Sequence, residues 1–186
     1  GPCRMLADEY NCQTTGIDLS NEYIRTAKEL SKLVKLDSKT SFVQGDATSL
    51  PFGDNIFDVV WTQHVQMNIP DKERLYSEIS RVLKPGGLLL ILTPDWEANY
   101  KTFFDDFTHV RPMTQRSMNL LLSMLDPAEI DTYRFRQLPI TWKHPIINIF
   151  CTFLAPFIPV RTKNPFLRWS RELMLVGFAR KKHKVI

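Results

Sequence analysis

The sequence predicts an α/β fold, a doubly wound and mostly parallel sheet with helices covering both faces. Three observations carry that expectation. Short strand-like stretches alternate with helical apolar stripes from residue 1 to about residue 95, the rhythm of βαβ units. "FDVVWTQ" and "LLLILTPD" are continuous β-branched, aromatic or aliphatic runs, as expected of strands buried on both faces. Hydrophobic residues make up 44% and charged residues 24% of the 186, an ordinary balance for one globular domain.

The elements follow in order. "TTGID" (14–18) is a short strand that ends in an acid. Ser20 caps a helix whose apolar stripe is Ile24, Ala27, Leu30, Leu33 and Val34. "SFVQGD" (41–46) and "FDVVWTQ" (57–63) are the next two strands. Asp71 caps "KERLYSEISRVL", where Leu75, Ile79, Val82 and Leu83 fall at helical spacing. "KPGG" (84–87) stops that helix and turns the chain into the strand "LLLILTPD" (88–95).

After residue 95 the rhythm breaks. Residues 95–115 are aromatic, acidic and nonperiodic, which predicts a loop or short helices. "RSMNLLLSMLD" (116–126) reads as a helix, "EIDTYRFRQLPI" (129–140) as a strand and "RELMLVGFARKK" (171–182) as a final strand. With no repeat and no boundary signal, residues 1–186 are expected to form a single domain. Its cofactor-binding half is 1–95, and its substrate or lid half is 96–186.

Cys3, Cys12 and Cys151 are an odd, widely spaced set without a CxxC. This predicts neither a disulfide framework nor a metal site, and favours a reducing, cytoplasmic setting. Residues 1–95 carry 10 Lys and Arg against 13 Asp and Glu, a net −3; residues 96–186 carry 14 against 7, a net +7, with "ARKKHKVI" at the end. No nucleic-acid motif accompanies the basic half, so no nucleic-acid partner is expected.

In an open parallel sheet, ligands sit beyond the carboxyl ends of the strands. Asp18, Asp46, the pair Gln63 and His64, and the run Thr93, Pro94 and Asp95 stand there. Two acids at successive strand ends are poor phosphate ligands, because phosphate prefers helix N-termini and cationic side chains. They suit a nucleoside: one carboxylate for the ribose hydroxyls, another for the adenine amino group.

"GIDLS", "VQGDATSLPFGDNIFDVVWTQHVQMNI" and "ISRVLKPGGLLLI" resemble class I S-adenosylmethionine-dependent methyltransferases, in particular the branch with ubiquinone/menaquinone and glycine/sarcosine methyltransferases. The resemblance covers residues 1 to about 95. It implies a Rossmann-like sheet with an antiparallel C-terminal strand, S-adenosyl-L-methionine as cofactor and a small-molecule methyl acceptor; a hydrophobic acceptor goes with a membrane-facing reading of residues 143–163. By position it gives Asp18 the ribose hydroxyls, Leu19 the adenine face, Asp46 the adenine amino group and Ala47 a backbone amide near the ring. Gln63 would lie near the methionine end, with His64 and Met67 bordering the substrate. Gly1 matches the last glycine of the family's D-x-G-x-G loop and "PCRMLADEY" the helix after it. The family's first strand and most of that loop are therefore expected to be missing from these 186 residues, as in a piece of a longer reading frame.

Less specific readings stand beside these. A strand-end acid is often a turn residue or a cap. His64 and His109 are candidates for the substrate side, but either could be a structural histidine. Tyr76 and Met67 are expected to pack. A noncatalytic nucleotide-binding or scaffold domain is the alternative from another class, and a nicotinamide-dependent reductase the enzymatic one. "KHPIINIFCTFLAPFIPVRTK" (143–163) is apolar with basic flanks and broken by prolines. It reads as a core helix, as a cap on the substrate pocket, or as a peripheral membrane contact; it is too short to span a bilayer.

Overall fold

A computed structural model describes residues 1–183; the end of the basic tail, 184–186, lies outside the described residues. The chain divides into two compact units, 1–53 and 54–186, and each is described by itself.

The first unit runs α1 (Pro2–Glu9), β1 (Thr14–Asp18), α2 (Asn21–Leu33) and β2 (Thr40–Gln44). β1 and β2 pair in parallel, with Thr14 opposite Thr40 and Asp18 opposite Gln44. Ser20 caps α2 as its position predicts, accepting from the Tyr23 amide at 3.4 Å. Arg4 donates from its guanidinium to the Ala27 carbonyl at 3.2 Å and ties α1 to α2. The expected stripe on α2 is only partly covered: Ile24 is buried, whereas Leu30, Leu33 and Val34 are exposed. Two strands about 5 Å apart give this unit a sheet too narrow to cover a wide helical stripe.

The second unit begins with β3 (Phe57–Gln63), a 3₁₀ turn (Gln66–Asn68), α3 (Lys72–Val82), β4 (Leu83–Pro94) and α4 (Trp96–Phe103). It continues with α5 (Gln115–Ser123), β5 (Pro127–Arg136), α6 (Ile140–Lys143), α7 (Pro145–Leu154), a 3₁₀ turn (Ala155–Phe157), α8 (Pro165–Arg171) and β6 (Leu173–Lys181). Its four strands are ordered β3-β4-β6-β5. β3 and β4 are parallel, and β6 is antiparallel to both β4 and β5. The final strand therefore runs against three strands that share one direction, as the resemblance implied.

Asp71 caps α3 through the Arg74 amide at 2.9 Å, and Leu75, Ile79, Val82 and Leu83 are all buried. β4 starts earlier than the sequence suggests, at Leu83, because "KPGG" lies inside the strand as an irregularity. The pairing steps from Phe57 opposite Leu83 to Val59 opposite Leu88. Gly86 takes φ 78° there, left-handed backbone that a side chain resists.

Two expectations of burial fail. β3 is half-buried or exposed along its length, because among the described residues it ends its sheet and pairs with β4 alone. α7 is not a core helix: Cys151 is its one buried residue, and Phe150, Phe153 and Phe157 are exposed. Among the described residues no helix is long and apolar enough to cross a membrane.

Candidate functional site

In the first unit the sequence-predicted acids stand at the carboxyl ends of the two paired strands. The Gly45 amide donates to the Asp18 carbonyl at 3.0 Å, and Gln44 Nε2 donates to the Leu19 carbonyl at 3.0 Å. The chain beyond β2 is thus held against the chain beyond β1. Gly45 leaves no room for a side chain, since a Cβ there would lie 2.9 Å from Ile17 Cδ1 and 3.2 Å from Pro51 Cδ. This tight passage delivers Asp46 next to the Asp18 strand end.

Asp18 Oδ1 accepts from the Ser20 amide at 2.8 Å, while Oδ2 has no hydrogen-bond partner among the described residues. The side chain is exposed, and Leu19 beside it is 69% exposed. Asp46 Oδ1 accepts from both the amide and the hydroxyl of Thr48 at 2.8 Å, closing the turn that contains Ala47. Gly1 is the N-cap of α1, its carbonyl accepting from the Met5 amide at 3.3 Å.

The second unit gathers the other predicted residues at the carboxyl ends of β3 and β4. Gln63 forms the last rung, opposite Leu92. His64 turns the chain with φ 54°, a left-handed conformation uncommon for a residue with a side chain, and its amide donates to the Leu92 carbonyl at 3.0 Å. Gln66, which sequence reasoning passed over, is buried and donates from Nε2 to the same carbonyl at 3.1 Å. It anchors the 3₁₀ turn that follows. Met67 and Tyr76 are buried, as expected of packing residues.

That turn is the dock for the 104–114 loop. The amides of Val110 and Arg111 donate to the Met67 carbonyl at 3.0 and 3.2 Å. His109 is stapled in the same loop: Nδ1 lies 2.7 Å from the Phe103 carbonyl and its ring 4.6 Å from the Phe103 ring. A carbonyl only accepts, so Nδ1 carries the proton and Nε2 is left as the acceptor of the neutral ring, 3.7 Å from Asp106 Oδ2. His64 is solvent-exposed on its outer side, yet partial desolvation, and then the nearby His109, lower its pKa.

Lys72, also missed from sequence, reaches the Ile69 carbonyl with Nζ at 2.7 Å. Burial, followed by repulsion from Arg111, pulls its pKa down to about 8.

Asp95 is structural. It is 0% exposed, caps α4 through the Glu97 amide at 3.2 Å, and faces Arg134 Nε at 2.9 Å outside hydrogen-bond geometry. Burial raises its pKa against the opposing pull of Arg134. Asn99 Nδ2 bridges the Asp95 and Leu173 carbonyls at 2.9 and 2.8 Å, bolting α4 to the sheet.

Residues 1–91 match the model of a family described as a methyltransferase domain. The chain is 39% identical over 93 residues to norajmaline N-methyltransferase of Rauvolfia serpentina, covering 50% of the chain and 32% of that protein. It is 38% identical over 96 residues to 2-methyl-6-phytyl-1,4-hydroquinone methyltransferase of Synechocystis, covering 52% and 29%. The chain thus spans about a third, or less, of the length of these curated relatives. Among solved structures, it resembles phosphoethanolamine N-methyltransferase 2 of Haemonchus contortus in complex with S-adenosyl-L-methionine. The TM-score is 0.69 at 22% identity, covering 99% of this chain and 46% of that one. At that identity the likeness speaks for the fold.

Proposed function

Since residues 1–91 belong to the methyltransferase domain family, of the class I S-adenosylmethionine-dependent kind, we propose that the protein transfers a methyl group from S-adenosyl-L-methionine to a small-molecule acceptor. The observation that carries this reading is the pair of exposed carboxylates, Asp18 and Asp46, at the carboxyl ends of adjacent parallel strands. Asp18 has one oxygen committed to the Ser20 amide and the other without a partner among the described residues. That pair of acceptors fits the hydroxyl and amino donors of a nucleoside.

In this reading Asp18 accepts from the ribose hydroxyls, and Leu19 covers an adenine face with its exposed side chain. Asp46 accepts from the adenine amino group, while the Ala47 amide lies near the ring. Gly1 borders the methionine portion. When bound, the cofactor supplies an electrophilic methyl on a good leaving group. The protein's task is then chiefly alignment, which can contribute on the order of 7–11 kcal/mol.

His64 and His109 stand on the substrate side. A His64 held below its ordinary pKa is neutral at pH 7, so its ring can accept a proton or hydrogen bond from an acceptor. The Phe103 carbonyl leaves the neutral His109 ring with Nε2 as acceptor.

A hydrophobic acceptor is part of the same proposal. One relative is named for a phytyl hydroquinone, which suits such an acceptor. A cytoplasmic setting also belongs to it, in keeping with three free thiols at Cys3, Cys12 and Cys151.

Calorimetric titration with S-adenosylhomocysteine and with NADH tests the proposal. Saturable heat with the first and none with the second is the expected result. The reverse would leave a nicotinamide-binding domain in its place.

A further inference from the structure

α7 is mounted with its apolar face outward. Ile146, Ile149, Phe150 and Phe153 recur at steps of three, one and three, so they share one helical face, and all are exposed. The exposed stripe continues into the 3₁₀ turn at Phe157, which is 82% exposed. Ile147 and Cys151 face inward, and the exposed Asn148 and Thr152 beside them reach a buried cation. Arg136, only 4% exposed, donates from Nε to Asn148 Oδ1 and from a terminal nitrogen to Thr152 Oγ1, both at 2.9 Å. Its other terminal nitrogen bonds the Ser170 carbonyl at the end of α8. A globular helix ordinarily buries its apolar face and wets its polar one. Here most of the apolar surface is left outside, and a buried guanidinium bonded to Asn148 and Thr152 holds the helix in that position.

The sequence segment that carries this face holds charge of one sign. Between Asp131 and Glu172 the sequence holds no acid and seven Lys or Arg. Some of these cations are engaged inside the fold: Arg136 as above, and Arg161 with Asp105 at 2.9 and 3.0 Å. Lys143 and Lys163, before and after the stripe, are exposed and make no ion pair among the described residues. Trp142 is also exposed, while its Nε1 donates to the Arg136 carbonyl at 2.7 Å.

We propose that α7 and the following 3₁₀ turn dock the protein onto an anionic lipid surface, with the Phe150, Phe153 and Phe157 side chains entering the headgroup boundary and Lys143 and Lys163 facing the headgroups. An apolar helical face edged by cations is what an interfacial helix presents to such a surface. The ten-residue α7 and the three-residue turn after it are too short to cross a bilayer, so this face would lie on it. A second copy of the chain suits the face less well. A two-fold contact sets the same patch against itself, and would bring two cationic rims together with no acid in the segment to offset them. The docking does not depend on the methyl-transfer reading.

The test is co-sedimentation of the whole chain with vesicles of phosphatidylcholine plus phosphatidylglycerol, and of phosphatidylcholine alone, at low and high salt. Two variants accompany it: Phe150→Ser with Phe153→Ser, and Lys143→Glu with Lys163→Glu. All four positions are exposed, so the melting temperatures should match the parent. The parent should favour the anionic vesicles and lose binding as salt rises. The phenylalanine variant should bind on the order of a hundredfold more weakly. The lysine variant should no longer distinguish the two lipids. No binding of the parent to anionic vesicles overturns the proposal, as does undiminished binding by the phenylalanine variant. A parent dimer that the phenylalanine variant dissociates, without any vesicle binding, assigns the face to self-association instead.

Discussion

Replacing Asp18 with Asn isolates the carboxylate charge at the end of β1. Asn keeps an oxygen in the place of Oδ1, so the 2.8 Å bond from the Ser20 amide, and with it the entry into α2, is preserved. What changes is Oδ2, the oxygen with no partner among the described residues. It becomes an amide nitrogen that donates and cannot accept from ribose hydroxyls. One charged hydrogen bond is worth about 1.5–3 kcal/mol. Asp18 is exposed, so the lower part of that range applies to each of the one or two bonds lost. Affinity for S-adenosylhomocysteine should therefore fall about 10- to 100-fold. Unfolding in urea should move by no more than about 0.5 kcal/mol, as for a surface substitution that keeps its cap. Calorimetry reports the first quantity and a denaturant melt the second. A folded Asp18→Asn variant with parental affinity would refute the assignment of this strand end to the ribose.

Three other outcomes follow from named contacts. His64 holds φ 54°, so His64→Ala should lose about 1 kcal/mol of stability, while His64→Asn, which tolerates that backbone, should keep stability and lose turnover; equal melting temperatures for the two variants would deny the strain. Lys72 titrates near 8 in the fold against its ordinary 10.5. Between those values the unfolded chain binds the extra proton, so this residue's unfavourable contribution, fully present below pH 8, is relieved as pH rises; urea midpoints from pH 8 to 10 should climb more steeply in the parent than in Lys72→Met. Arg136→Met leaves Asn148, Thr152 and the Ser170 carbonyl without their donor. It should cost about 2–3 kcal/mol and speed proteolysis between residues 140 and 171; parental stability would show that the guanidinium does not hold α7.

Much of the fold was legible because local signals and tertiary contacts agree. Asp71 looks like a cap and is one, and the spacing of Leu75, Ile79 and Val82 names the buried face of α3. The strand-end acids were legible for a similar reason, since an acid closing a short strand is a local pattern. Periodicity reports that a face is apolar without saying what it meets. The α2 stripe, and the apolar run of α7 for which a core helix is one of three readings, are both largely exposed. The orientation of α7 depends on Arg136, which sits on β5 and carries no mark in the sequence that it will be buried. The dock that carries His109 is a pair of main-chain bonds to the Met67 carbonyl, which no side-chain pattern announces. Gln66 and Lys72 were missed likewise, because each acts by bonding a backbone carbonyl, at Leu92 and Ile69.

The central claim is that S-adenosylmethionine is held at the carboxyl ends of β1 and β2. Amide hydrogen exchange, with and without a saturating concentration of S-adenosylhomocysteine, tests it most directly. The account predicts slowed exchange at Leu19 and Ser20 and through the Gly45–Ser49 turn, with α5 and β5 unchanged. Saturation without added protection at either strand end would contradict it.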